Sequence, residues 1–123
     1  MKITSFEATA LNVPEDEPLA NMPEEEGRTR PVVILRLRTD NGLEGLGVTF
    51  YGGKMTGSLR VAVEELAALT VGEDPLRIEA IIAKLRAAAD SSGPGGIFTL
   101  ALSAIDVALW DIKGKALEQP LWK

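Results

Sequence analysis

Carboxylates, lysines, arginines and a single tyrosine are the side chains here that could do chemistry; the 123 residues include no histidine and no cysteine. Without cysteine there is no disulfide frame, thiolate nucleophile or thiolate zinc site. Without histidine there is no serine-histidine triad, and no side chain titrates near neutrality without a large shift. Glu15, Asp16, Glu17, Glu24, Glu25 and Glu26 supply the oxygens that hard cations prefer. Adjacent loop side chains rarely converge on one ion, so they read as a solvated acidic loop and no metal is assigned. Gly52-Gly53-Lys54 fails the phosphate-loop pattern at two fixed places, where Val48 and Met55 stand. The run Gly93-Pro94-Gly95-Gly96 precedes a helix and could face an anion, but it reads as a turn between helices. Arg36 and Arg38 alternate with apolar residues and read as the wet face of a strand.

Asp106 and Asp111 are five positions apart, which on a helix turns them about 140° from one another. They cannot act as a catalytic pair. Asp111 and Lys115 have the i, i+4 spacing with the acid first, the better order for a helical ion pair. Asp106 has no such neighbour and, if buried, needs a donor from elsewhere. Both read as structural, as a buried hydrogen-bond anchor and a salt bridge at a domain interface. Two places remain for ligand contact. One is the stretch 14–30, rich in proline and acid, with Asn21, Met22, Arg28 and Arg30; the other is the end of the third strand, with Phe50, Tyr51 and Lys54.

The elements that must position these residues follow from periodicity. Residues 2–13 are rich in β-branched and aromatic types with ragged alternation, which predicts a strand with a bulge or contacts on both faces. Residues 14–30 lack periodicity and predict a loop, longer than compact domains usually carry without a reason. Residues 32–39 and 44–51 alternate around Asp40-Asn41-Gly42, predicting a hairpin closed by a type I′ turn. Gly45, Gly47 and Thr49 share one face of the second hairpin strand, so another element should lie close against it. The period then becomes helical over about 56–71, 75–90 and 97–118, the second helix opening at Asp74-Pro75. The third carries the apolar stripe Leu100, Ala101, Ala104, Ile105, Ala108 and Ile112 and ends near Gln119-Pro120. Its apolar cover extends too far round for one sheet to bury, so Trp110 and Trp122 should mark a surface awaiting a partner. Strands first and helices second predict an α+β fold: a three-stranded antiparallel sheet with three helices packed on it.

Composition bounds the classes of function. At 46% hydrophobic and 25% charged residues the chain is ordinary for a globular domain. One domain of this length buries about two-thirds of its unfolded surface. The formal charge of −5 argues against nucleic acid as partner. No apolar run approaches the roughly 20 residues of a membrane span, and the N-terminus lacks the pattern of a signal peptide. No membrane partner and a cytoplasmic location are expected.

Residues 101–121 add a resemblance. Ala101, Ser103, Ala104, Ile105, Asp106, Ala108, Leu109, Asp111, Ile112, Gly114, Lys115, Pro120 and Leu121 follow, in order and spacing, the first signature of the mandelate racemase/muconate-lactonizing enzymes. The chain thus resembles the N-terminal capping domain of that branch of the enolase superfamily, over residues 1–123, without the TIM barrel that carries its catalytic bases. The resemblance implies that Mg²⁺ is bound by the barrel of the intact enzyme and not by this piece. It also implies an own C-terminal barrel, a small carboxylate substrate and a homo-oligomer as partners. No catalytic residue is expected here, and the piece alone should be inactive. Asn21, Met22, Arg28, Arg30, Tyr51 and Lys54 correspond to two loops that close over the barrel mouth and shape the substrate pocket. The implied reaction is proton abstraction α to a carboxylate with Mg²⁺ stabilising the enediolate. Dehydration of an acid sugar is the first reading, and racemisation, epimerisation or cycloisomerisation the second. A non-catalytic binding or assembly module, acting through the third helix, is the reading from another class.

Overall fold

The computed structural model describes residues 1–14, 29–51, 53–93 and 95–123. Strand β1 (Ile3–Pro14) pairs with β2 (Thr29–Thr39), which pairs with β3 (Glu44–Thr49), in an antiparallel sheet of order β1-β2-β3. Helices α1 (Thr56–Ala68), α2 (Ile78–Ala88) and α3 (Gly96–Ala116) follow, with a short 3₁₀ turn at Asp90–Ser92. The α+β architecture expected from the sequence is the observed one.

Alternation along β2 decides which face is wet. Val33, Leu35 and Leu37 are fully buried beneath the helices, whereas Arg36 and Arg38 are exposed on the other side. On that outer face Arg36 Nη1 donates to Glu44 Oε1 at 2.6 Å. Arg38 bridges Glu44 and Glu7, both at 3.1 Å. The raggedness of β1 has a local cause, since the register shifts between Ile3 and Ser5 and brings Ile3 inward. Ile3 is also tied to the turn after α1, donating its N–H to Glu73 and accepting from the N–H of Gly72.

The glycine face of β3 is where α3 sits. A methyl built on Gly47 would overlap the Ala104 carbonyl, and one on Gly45 would overlap that of Ala108. Such contact lets Ala101, Ala104, Ile105, Ala108, Leu109 and Ile112 bury completely at the centre of the molecule. The sheet and α1 cover two sides of α3, and α2 flanks a third.

Three local expectations need correction. The hairpin turn is not type I′, which requires positive φ at both central residues; Gly42 has φ 86° and Asn41 does not. Thr39 and Leu43 close a three-residue loop in which Gly42 N–H donates to the Thr39 carbonyl, a type I turn followed by a left-handed residue. Asn41 still contributes, its Oδ1 accepting from Thr39 Oγ1 and the Leu43 N–H. Asp74-Pro75 does not open α2. The Asp74 carboxylate accepts from the Leu76 N–H and its carbonyl from the Arg77 N–H, making a turn after which the helix starts at Ile78. Helix α3 stops at Ala116 before proline is reached, because Glu118 turns left-handed (φ 53°). Gln119 and Glu118 then donate to Gly114 and Lys115 in the cross-bonded helix ending usually built on glycine.

Two surface ion pairs set a pH dependence. Its hydrogen bond to Arg36 holds the Glu44 carboxyl below the ordinary carboxylate range, and Lys84 does the same for Glu73. A depressed folded pKa contributes stability above the unfolded value, near 4.5, and loses it as pH falls through the lower folded value. Both pairs are exposed, so the contribution is small and screened by salt. Glu44→Gln should therefore melt slightly below the parent at pH 7 and together with it at pH 3 in low salt. A difference that persists undiminished at pH 3 would refute this assignment.

Candidate functional site at the loop end of the sheet

Antiparallel pairing carries three chain ends to one edge of the molecule. Pro14 pairs with Thr29, and Thr49 pairs with Val33, so β1 ends, β2 begins and β3 ends on the same side. The first four residues of β2 pair with β1 alone and overhang the end of β3. There Arg30 lies with its guanidinium carbon 5.9 Å from the centroid of Phe50. A cation over a ring at an exposed site contributes about 0.5–1 kcal/mol. Phe50 and Tyr51 are 53% and 40% exposed, and Lys54 stands open just before α1. Thr56 Oγ1 donates to the Gly53 carbonyl and fixes the turn between them.

Of the six residues singled out for ligand contact, Arg30, Tyr51 and Lys54 stand at this end. Asn21, Met22 and Arg28 lie outside the described residues, as does the acidic run 15–17 and 24–26. The grouping offers two cations, a phenol and an exposed aromatic face. It can hold a carboxylate or hydroxyl groups against an apolar wall, but among the described residues it has no acid, base and nucleophile in concert. Nor do any three described carboxylates come together to hold a metal ion.

The two aspartates of α3 separate. Asp111 Oδ2 accepts from the Leu46 N–H at 2.9 Å and from Lys115 Nζ at 2.8 Å, while Lys115 also donates to the Glu44 carbonyl at 2.6 Å. The pair therefore clamps the outer backbone of β3, a role within the domain that the helical spacing alone did not disclose. Asp106 is half-buried rather than buried and has no hydrogen bond or ion pair among the described residues. At the mouth of α3 the Gly95 N–H is already used, donating to Thr99 Oγ1.

The sequence pattern of residues 7–123 matches the model of the mandelate racemase / muconate lactonizing enzyme N-terminal domain. The chain belongs to that family, as an N-terminal domain of the enolase superfamily. A D-galactonate dehydratase of Xanthomonas axonopodis pv. citri is 42% identical over 91 residues, 74% of this chain and 23% of the relative. One from Klebsiella pneumoniae is 38% identical over the same length. The chain thus spans about a quarter of the length of the curated relatives it matches. L-talarate dehydratase from Polaromonas sp. JS666, solved with Mg and L-glucarate, superposes with a TM-score of 0.80 at 27% identity, over 94% of this chain and 32% of that one. An enolase from Agrobacterium radiobacter with bound Na and L-malate does so at 0.76 and 30%, over 99% of this chain and 27% of its own. No described helix is long and apolar enough to cross a membrane.

Proposed function

We propose that this chain is the substrate-capping domain, residues 1–123, of an acid-sugar dehydratase. In the intact enzyme a following barrel abstracts the proton α to a carboxylate, and Mg²⁺ stabilises the enediolate. By resemblance the metal and the catalytic bases belong to that barrel. The contribution of this chain is to cover the substrate. The observation that carries the reading is the convergence of Arg30, Phe50, Tyr51 and Lys54 at one end of the sheet. Arg30 and Lys54 would hold a carboxylate or hydroxyl groups, Tyr51 would orient them, and Phe50 would exclude water, which strengthens each polar contact beneath. Asn21, Met22 and Arg28 belong to the same cover by resemblance. Dehydratases among the relatives favour water elimination over racemisation or cycloisomerisation.

The test is steady-state kinetics of the barrel-containing enzyme on a panel of aldonic and aldaric acids. Lys54→Met and Tyr51→Phe should each raise KM about tenfold or more, the loss of roughly one charge-assisted hydrogen bond. Unchanged kinetics in both variants would remove this end of the sheet from the substrate pocket. A non-catalytic assembly module would show no turnover on any member of the panel.

A further inference from the structure

At the opposite end of the sheet from Arg30 and Phe50, the turn between β2 and β3 holds a group that the capping role does not use. Asn41 is followed by Gly42, and both are exposed. The side-chain amide of an asparagine is an electrophile one ring closure away from the next backbone nitrogen. Attack of that nitrogen on Cγ makes a five-membered succinimide, most readily where the next residue has no side chain to obstruct it. Nothing lies within 4 Å of the place that a Cβ on Gly42 would take. The other asparagines, Asn12 and Asn21, precede Val13 and Met22, whose side chains crowd the attacking nitrogen.

The turn also supplies what the reaction needs at oxygen. Asn41 Oδ1 takes up negative charge when Cγ becomes tetrahedral, and two donors already aim at it. They are Thr39 Oγ1 at 2.5 Å and the Leu43 N–H at 3.4 Å. Donors fixed in place before the charge develops stabilise it without reorganising. The Thr39 hydroxyl has one proton and also lies 2.9 Å from the Leu43 carbonyl. An oxyanion draws that proton more strongly than a neutral carbonyl does. Against closure stands the bond from the Gly42 N–H to the Thr39 carbonyl, which must open. At 3.3 Å it is longer than the usual N–H···O range, so the restraint on the nucleophile is slight.

We propose that Asn41 is a self-modifying site: in the folded protein it loses ammonia through a succinimide and becomes aspartate or isoaspartate. The Gly42 nitrogen gives its proton to water or hydroxide and bonds to Cγ. The intermediate collapses by breaking the Cγ–Nδ2 bond, and Nδ2 takes up a proton and leaves as ammonia. Water then opens the ring, the sole co-reactant, with no change of oxidation state. Opening at Cγ gives aspartate, whose carboxylate keeps both donors. Opening at the backbone carbonyl gives isoaspartate, which lengthens the loop by one backbone carbon and breaks the closing bonds of Thr39. The site is independent of the capping role.

The test is incubation of the protein at mildly alkaline pH, in buffer and in concentrated guanidinium chloride, followed by trypsin and peptide mass. Cleavage after Arg38 and Lys54 isolates Asn41 in one peptide. That peptide should gain the mass difference between aspartate and asparagine about tenfold faster in buffer than in denaturant, the effect of prearranged donors. Asn12 and Asn21 should stay intact over the same time. Thr39→Val should lose most of the advantage and Thr39→Ser should keep it, with circular dichroism unchanged in both. Conversion in buffer no faster than in denaturant would mean that the folded turn protects Asn41, and would overturn the site. Aspartate with no isoaspartate would mean direct hydrolysis and overturn the succinimide. A folded Thr39→Val protein that converts as fast as the parent would overturn the part given to the hydroxyl.

Discussion

Gly47→Val should be the most damaging single substitution in the sheet, lowering the unfolding free energy by about 3 kcal/mol or more. Two effects compete at this position. A β-branched residue in a strand interior gains up to about 1 kcal/mol over glycine through propensity and a less flexible unfolded chain. Against this stands a carbonyl oxygen: the added carbon would overlap the backbone of Ala104, which has no rotamer to change. Helix α3 would have to lift from β3, opening the contacts of Ala104, Ile105 and Ala108, all fully buried. Overlap with backbone wins. The control is Gly57→Ala in the first turn of α1, where nothing lies within 4 Å of the new methyl; it should stabilise by about 0.5–1 kcal/mol. Urea titrations of both variants decide the matter. A Gly47→Val protein as stable as the parent would mean that α3 does not rest on β3.

Trp110→Ala should have two different costs. In the 123-residue chain the indole is nearly half exposed and retains Lys113 Nζ 4.7 Å from its ring centroid. Its removal there should cost about 1 kcal/mol, chiefly that contact and the partial burial of one face. Where a second domain covers that face of α3, the same substitution empties a packed site and should cost about 3–5 kcal/mol. Measuring unfolding free energy in both lengths of protein checks the difference. Equal, large losses would place Trp110 in the core of this domain; equal, small ones would leave Trp110 uncovered in the longer protein.

What was legible in the sequence was whatever period and glycine placement control. The inward set Val33, Leu35 and Leu37 and the stripe from Ala101 to Ile112 could be read because burial follows spacing of 2 or 3.6. The Gly45/Gly47 face announced a close neighbour before that neighbour was known to be α3. Turn chemistry was less legible. Asn41-Gly42 and Asp74-Pro75 are each compatible with several local bonding patterns, and the closing contacts of Thr39 and Arg77 selected among them. Least legible were partners distant in sequence. The spacing of Asp111 and Lys115 predicts their ion pair, which forms, but not the second partner of Asp111, the amide of Leu46, 65 residues earlier. At the candidate site the pairing of Arg30 with Phe50 has the same character: each was noted on its own loop, and only the antiparallel register brings them together.

The clamp on β3 bears on how this domain behaves in a crowded solution. An outermost strand is a template: its free amides and carbonyls can recruit any extended chain and seed cross-β growth. Here the outward amide of Leu46 and the outward carbonyl of Glu44 are already taken by Asp111 and Lys115. An incoming strand would first have to displace both an ion pair and the helix that bears it. Recruitment on that side is thereby blocked by two side chains one helical turn apart, and sheet extension is left to the opposite margin, along β1.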